Sequence, residues 1–159
     1  MKLRNFLYPL LLAALMIFIF CMSAQPADDS TETSSRFCTF AAKLLISNFP
    51  EFSPAVQSDI IEGLAFVVRK TAHFSEYALM GCLWFWWLHQ KRFSPLIALG
   101  ASALFAVSDE IHQRFVPGRS CELRDVLVDS SGALAGICFA FIVLCIIWSI
   151  RNQSWKQHP

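Results

Sequence analysis

Three short groups of polar residues stand out in a chain that is otherwise largely apolar. Those that could do chemistry are Lys70, His73, Glu76 and Tyr77, then Asp109, Glu110 and Gln113, then Arg119, Arg124, Asp125 and Asp129. Carboxylates and histidine can act as general acids and bases, and lysine and arginine can hold a phosphate or a carboxylate. Carboxylates also bind hard cations such as Mg²⁺. The residue types therefore suit a site for an anionic substrate, with a divalent cation as one candidate cofactor.

Helical spacing brings members of each group onto one face. Lys70, His73 and Tyr77 share a stripe, because they are separated by three and seven residues, and Asp125 and Asp129 are four residues apart. We therefore predict two sets of site residues. The predicted catalytic residues are Asp109, Glu110, His73, Asp125 and Asp129, and the predicted substrate-binding residues are Lys70, Arg119, Gln113, Tyr77 and Glu76.

The composition indicates a membrane protein. Of the 159 residues, 55% are hydrophobic and 16% are charged, whereas a soluble domain carries about 25% charge. Nearly uncharged runs long enough to cross a bilayer predict four transmembrane helices. They lie at about 6–22, 72–88, 94–115 and 126–150. The predicted fold is all-α, a polytopic membrane four-helix bundle, and the net charge of +1 gives no basic face for nucleic acid.

The segment between the first two spans carries a further amphipathic helical pattern. Phe37, Phe40 and Leu44 form an apolar stripe that Pro50 ends, and Ser53 then caps a second helical stretch. Two interpretations stay open: a helical hairpin packed on the outside of the bundle, or an interfacial lid that touches lipid head groups. The predicted organisation is a first transmembrane helix at 1–24, an extracytoplasmic loop with amphipathic helices at 25–69, a core of three transmembrane helices at 70–150 and a cytoplasmic tail at 151–159.

Flanking charges set the predicted orientation. Lys2 and Arg4 precede the first span, which we interpret as retained rather than as a cleaved signal peptide. The positive flanks and the very short loop at Lys91 and Arg92 then place both termini in the cytoplasm, although the total of basic residues is six inside against seven outside. All three polar groups accordingly lie at the outer end of the bundle.

Asp109 must find a partner in this arrangement. It lies 15 residues after Ser94, about 22 Å along a helix and so inside a hydrocarbon core of about 30 Å. A carboxylate there needs a cation, a proton or a water-filled cavity, and we consider an ion pair with Lys70 or Arg119.

Cys38 and Cys121, which lie in polar segments, could form a disulfide.

Three motifs carry a family resemblance. The runs R-K-T-A-H-F-S-E-Y-A-L-M-G (69–81), S-D-E-I-H-Q-R-F-V-P-G-R (108–119) and R-D-V-L-V-D-S-S-G-A-L-A-G (124–136) resemble the VanZ-like family of small bacterial membrane proteins, as does S-A-Q-P at 23–26. The resemblance implies a multi-pass protein of the bacterial cell membrane and a link to low-level resistance to teicoplanin, a lipid-tailed glycopeptide. It also matches Lys70, His73, Asp125 and Asp129 to residues of the family pattern.

Three hypotheses for the function follow, and they leave open whether the protein is an enzyme. The polar groups form an outward-facing pocket that binds or acts on a lipid-linked cell-wall precursor or another amphiphile at the cell surface. Alternatively, they are an ion-pair network in a non-catalytic structural or binding protein. The third hypothesis is a small proton-coupled carrier, for which four spans without repeats are few.

Overall fold

The described part of the chain, residues 2–157, folds into five α-helices and one short 3₁₀ helix. The computed structural model describes the backbone of residues 2–157 and the side chains of residues 3–152, so the predicted tail at 151–159 falls partly outside it. The elements are α1 (Lys2–Ser23), α2 (Ala27–Leu45), the 3₁₀ helix Phe49–Glu51, α3 (Pro54–Leu88), α4 (Ser94–Gln113) and α5 (Leu123–Gln157). No strand occurs among the described residues, and the all-α prediction is confirmed.

Within the residues that the structure describes, three helices are long and apolar enough to cross a membrane. They are Leu3–Ser23, Ser94–Gln113 and Leu123–Asn152. The span at 72–88 belongs to α3 and stays a prediction, because His73, Glu76 and neighbouring polar residues interrupt its apolar run. The protein is therefore a membrane protein with three candidate spans. The evidence for the fourth predicted span, at 72–88, is the way in which α3 packs against these three helices.

The second half of α3 is buried among the three span candidates. Tyr77 and Met80 of α3 share one apolar core with residues from each of them. The other buried members of this core are Leu12 and Ile19 of α1, Ala106 of α4 and Ala133 of α5. Since a helix surrounded by membrane helices lies at their depth, this packing supports the predicted span at 72–88.

Glycines bring α3 and α5 into close contact. A Cβ atom added at Gly132 or Gly136 would overlap the carbonyl oxygen of Phe74 or Ala78 across the interface, and one added at Gly81 would overlap that of Ala133. Small residues allow membrane helices to approach in this way. The contact fixes the register of α3 against α5, and both helices carry site residues near it.

α3 is one continuous helix of 35 residues, where the sequence suggested a short helix followed by a separate span. Ser53 caps its start by accepting a hydrogen bond from Val56 N at 3.5 Å, and no proline interrupts it after the first turn.

α2 packs against α3, with Cys38 and Ala42 buried. Cys38 and Cys121 are both free, so the disulfide that we considered is not formed.

Candidate functional site

The turn between α4 and α5 is hydrogen-bonded to the junction between α1 and α2. Gly118 supplies the turn with a positive φ of 74°, which favours glycine. Ala27 N donates to Pro117 O at 3.1 Å, and Arg119 Nε donates to Gln25 O at 3.2 Å. The S-A-Q-P stretch of the sequence therefore lies at the same end of the bundle as the polar residues of α3, α4 and α5.

Asp109 is held by neutral donors. Its side chain is fully buried, and its Oδ2 accepts hydrogen bonds from Ser23 Oγ at 2.8 Å and Gln113 Nε2 at 3.0 Å. The ion pair with Lys70 or Arg119 that we considered is not formed within the described side chains. Sequence reasoning missed Ser23, whose signal was its place at the start of S-A-Q-P.

Two acid–base pairs instead join α3 to α5. Lys70 Nζ lies 2.5 Å from Asp125 Oδ2, with both side chains less than one third exposed. One turn along, His73 Nδ1 lies 3.8 Å from Asp129 Oδ1, which is too far for a direct hydrogen bond. The stripes predicted from helical spacing therefore face each other across the glycine contact.

Several buried oxygens have no hydrogen-bond partner among the described residues. Asp109 Oδ1, Asp129 Oδ2 and the Tyr77 hydroxyl are buried and unpartnered, and Asp125 Oδ1 shares this state. Glu110, which is 2% exposed, does have a partner, because its Oε2 accepts from Glu122 N at 2.9 Å. Buried polar atoms are rarely left unpaired in proteins, so these oxygens mark places for water or a ligand.

The polar residues surround a cavity of about 190 Å³, which we call the outer cavity. Four cationic side chains line it, namely Arg69, Lys70, Arg119 and Arg124. Its two carboxylates each lie close to one of these cations: Asp125 contacts Lys70, and Glu122 Oε2 lies 2.9 Å from Arg124 Nη2. His73, Gln113 and residues from the start of α2, including Ser30, complete the wall.

Two smaller cavities adjoin the outer one. A cavity of about 140 Å³ is lined by Glu76 together with Arg69, His73 and Arg119. The innermost cavity, of about 10 Å³, is lined by Lys70, His73, Glu110, Asp125, Val128 and Asp129. His73 lines all three spaces and so lies where they meet.

Several charged side chains lie near Arg119. Burial, followed by the nearby positive charge of Arg69, lowers the pKa of the Arg119 guanidinium, and the charges of Asp109 and Glu110 act in the opposite direction. An arginine stays protonated in proteins despite such a shift. Neither Arg69 nor Arg119 has a close carboxylate partner among the side chains that the structure describes, so together they form a local excess of positive charge that an anion would balance.

The structure distributes the ten predicted site residues over one continuous region. Lys70, His73, Asp125, Arg119 and Gln113 line the outer cavity, and Glu76 lines the second. Glu110 and Asp129 line the innermost cavity, while Asp109 and Tyr77 are fully buried. Sequence reasoning did not assign Arg69, Arg124 or Ser30 to the site, although Arg69 directly precedes Lys70 in a matched motif.

The described side chains do not form a set of ligands for a metal ion. Within the described side chains, no group of three or more histidine, cysteine, aspartate and glutamate residues is placed to hold a metal. Lys70, which contacts Asp125, already supplies a positive charge there. The site residues therefore do not fit the divalent cation that the carboxylates suggested in the sequence.

A comparison with known protein families gives a match. The family model described as VanZ/LLP1 matches residues 8–148, which run from α1 to near the end of α5 and include every residue of the candidate site. No curated protein and no solved structure matches the chain.

Proposed function

Since the chain belongs to the VanZ/LLP1 family, we propose that it is a cell-envelope membrane protein whose outer cavity binds the anionic headgroup of a lipid-linked or cell-surface substrate. The observation that carries the proposal is that four cationic side chains line this cavity. A basic cavity at the end of membrane helices suits phosphate or carboxylate head groups.

The cavity offers donors that the protein itself does not use. Arg69 Nη1 is buried without a hydrogen-bond partner among the described residues. Lys70 and Arg124 already contact carboxylates, whereas the one hydrogen bond that the Arg119 side chain donates within residues 3–152 goes to the carbonyl oxygen of Gln25. A phosphate or carboxylate can accept from two arginines at once. These unsatisfied donors favour a binding site over a network that only holds the helices together.

The size of the cavity limits what it can hold. Sites that enclose a drug-sized ligand measure about 300–1,000 Å³, whereas this cavity measures about 190 Å³. It would therefore hold a headgroup, and the tail of an amphiphile would remain in the bilayer. In the orientation predicted from the flanking charges, the headgroup would belong to the outer leaflet or the cell surface.

Titration with hexyl phosphate tests the proposal, because its short tail limits partitioning into detergent. Calorimetry on the purified protein should show binding, and Arg69→Gln and Arg119→Gln should each weaken it about tenfold or more, since a hydrogen bond to a charged group contributes about 1.5–3 kcal/mol. Lys43→Gln, which removes an exposed cation of α2 outside the cavity, should bind as the wild type does. Absent binding, or equal affinity in the arginine variants, would contradict the proposal.

The proposal extends to the resistance that the family resemblance implies. A protein that binds outer-leaflet head groups would alter how a lipid-tailed glycopeptide meets the membrane. Expression in a susceptible host should raise the inhibitory concentration of teicoplanin, and Arg69→Gln should remove this effect at an unchanged membrane level of the protein. If expression of the wild-type protein does not change the inhibitory concentration of teicoplanin, the protein does not confer resistance in this host. The proposal of headgroup binding would then be judged by the calorimetric test alone.

A further inference from the structure

We infer that the same site hydrolyses a phosphoanhydride, with a water in the innermost cavity attacking the terminal phosphorus of an amphiphile diphosphate held in the outer cavity. The inference rests on the proposed function, because it requires the outer cavity to bind a phosphorylated headgroup. The juxtaposition that carries it is a water-sized polar cavity directly behind a cationic one, with Lys70, His73 and Asp125 lining both.

The innermost cavity has the size and the chemistry for one water. Its volume is about 10 Å³, close to the 10–15 Å³ that one water requires together with two to four polar partners. Asp129 is 1% exposed and lines the cavity, and neither its Oδ2 nor Asp125 Oδ1 has a hydrogen-bond partner in the described part of the chain. These two oxygens can accept both protons of a water. Lys70 lines the same space and can donate to its oxygen.

Asp129 and His73 can remove a proton from this water. The Asp129 carboxylate would take the proton while the water oxygen forms a bond to the terminal phosphorus. The bond from that phosphorus to the bridging oxygen breaks, and the bridging oxygen leaves with the electron pair on a phosphomonoester. The products are inorganic phosphate and the amphiphile monophosphate. His73, which lies 3.8 Å from Asp129 and lines all three cavities, would return the proton to solvent.

The outer cavity selects an anhydride over a simple phosphate ester. Its carboxylates, Glu122 and Asp125, are each close to a cation, and the Nδ1 of its histidine, His73, faces Asp129 at 3.8 Å for the proton relay, so none of the three is placed to protonate a departing alkoxide. A phosphomonoester leaving group needs no proton and is stabilised by positive charge, which Arg69 and Arg119 supply. Hydrolysis should therefore require a diphosphate.

Phosphate release from farnesyl diphosphate tests this inference. The purified protein, with EDTA present, should release inorganic phosphate from farnesyl diphosphate and none from farnesyl monophosphate. In ¹⁸O-labelled water the label should appear in the inorganic phosphate and not in the farnesyl monophosphate. Asp129→Asn should lower the rate about 100-fold or more, as expected for loss of a general base, and should bind hexyl phosphate as the wild type does. Asp59→Asn, an exposed acid of α3 outside the cavities, should be fully active.

The outcomes separate the two proposals. Binding of hexyl phosphate without phosphate release from farnesyl diphosphate would overturn hydrolysis and leave headgroup binding standing, whereas loss of both would overturn both. Full activity in Asp129→Asn, equal release from the monophosphate, or label in the farnesyl product would each overturn the assigned step. If Asp129→Asn does not fold, His73→Gln gives the second reading, with at least a tenfold lower rate expected and an unchanged rate refuting the relay.

Discussion

Replacing Gly136 by alanine tests the contact on which the site geometry depends. The new Cβ would overlap the carbonyl oxygen of Ala78, which is backbone, so no side-chain rotation can relieve it and α3 and α5 must separate. Overpacking of a core costs about 1–3 kcal/mol, and we expect the upper end because both partners are main chain. The better helix propensity of alanine returns about 1 kcal/mol, which leaves a net loss of about 2 kcal/mol.

The assay is thermal unfolding in detergent, followed by tryptophan fluorescence. For a chain of about 150–250 residues, 1 kcal/mol corresponds to roughly 2–4 °C, so Gly136→Ala should lower the Tm by about 4–8 °C. Gly100→Ala is the matched control, because a Cβ there meets nothing within 4 Å, and its Tm should stay constant or rise. If Gly136→Ala is as stable as Gly100→Ala, the close approach of α3 and α5 is not as described.

The remaining predictions concern single contacts and the orientation. Ser23→Ala removes a donor from the buried Asp109 and should destabilise the protein by about 1–3 kcal/mol, measured as a lower Tm. Lys70→Met removes the closer of the two cations near Asp125, the other being Arg124, whose Nε lies 3.9 Å from Asp125 Oδ1. It should lower the stability by about 1–3 kcal/mol, between the values for exposed and buried pairs, and Lys70→Met with Asp125→Leu should recover part of this loss. A membrane-impermeant maleimide should label the exposed Cys121 in intact cells if the orientation predicted from the flanking charges is right.

Each of these predictions has its own control. Ser108→Ala should keep the wild-type Tm, because the Ser108 hydroxyl is exposed and donates to Phe105 O of its own helix. If Ser23→Ala matches it, the Ser23–Asp109 bond contributes nothing. No recovery in the double variant would mean that the loss in Lys70→Met came from packing. Cys121→Ser should remove the label, and labelling only after lysis would place the site on the cytoplasmic side.

The sequence was sufficient for the fold class and for the end of the bundle at which the site lies. Runs of about 20 apolar residues can be buried only as membrane helices, and polar groups at the start or end of alternating helices must lie at one level. The continuity of α3 could not be read in the same way. Charged residues between 69 and 76 looked like a boundary, yet helical hydrogen bonds continue through them because no proline intervenes there.

Which side chains meet was decided by the tertiary structure. Spacing along one helix shows that Lys70 and His73 share a face, but not which acid of another helix lies opposite. The glycine contacts of α3 with α5 set that register, so Lys70 meets Asp125 instead of Asp109. Asp109 accepts a hydrogen bond from Ser23, which lies 86 residues away in the sequence, because α1 packs beside α4. Partner choice between helices depends on their rotation and offset, which only their mutual packing fixes.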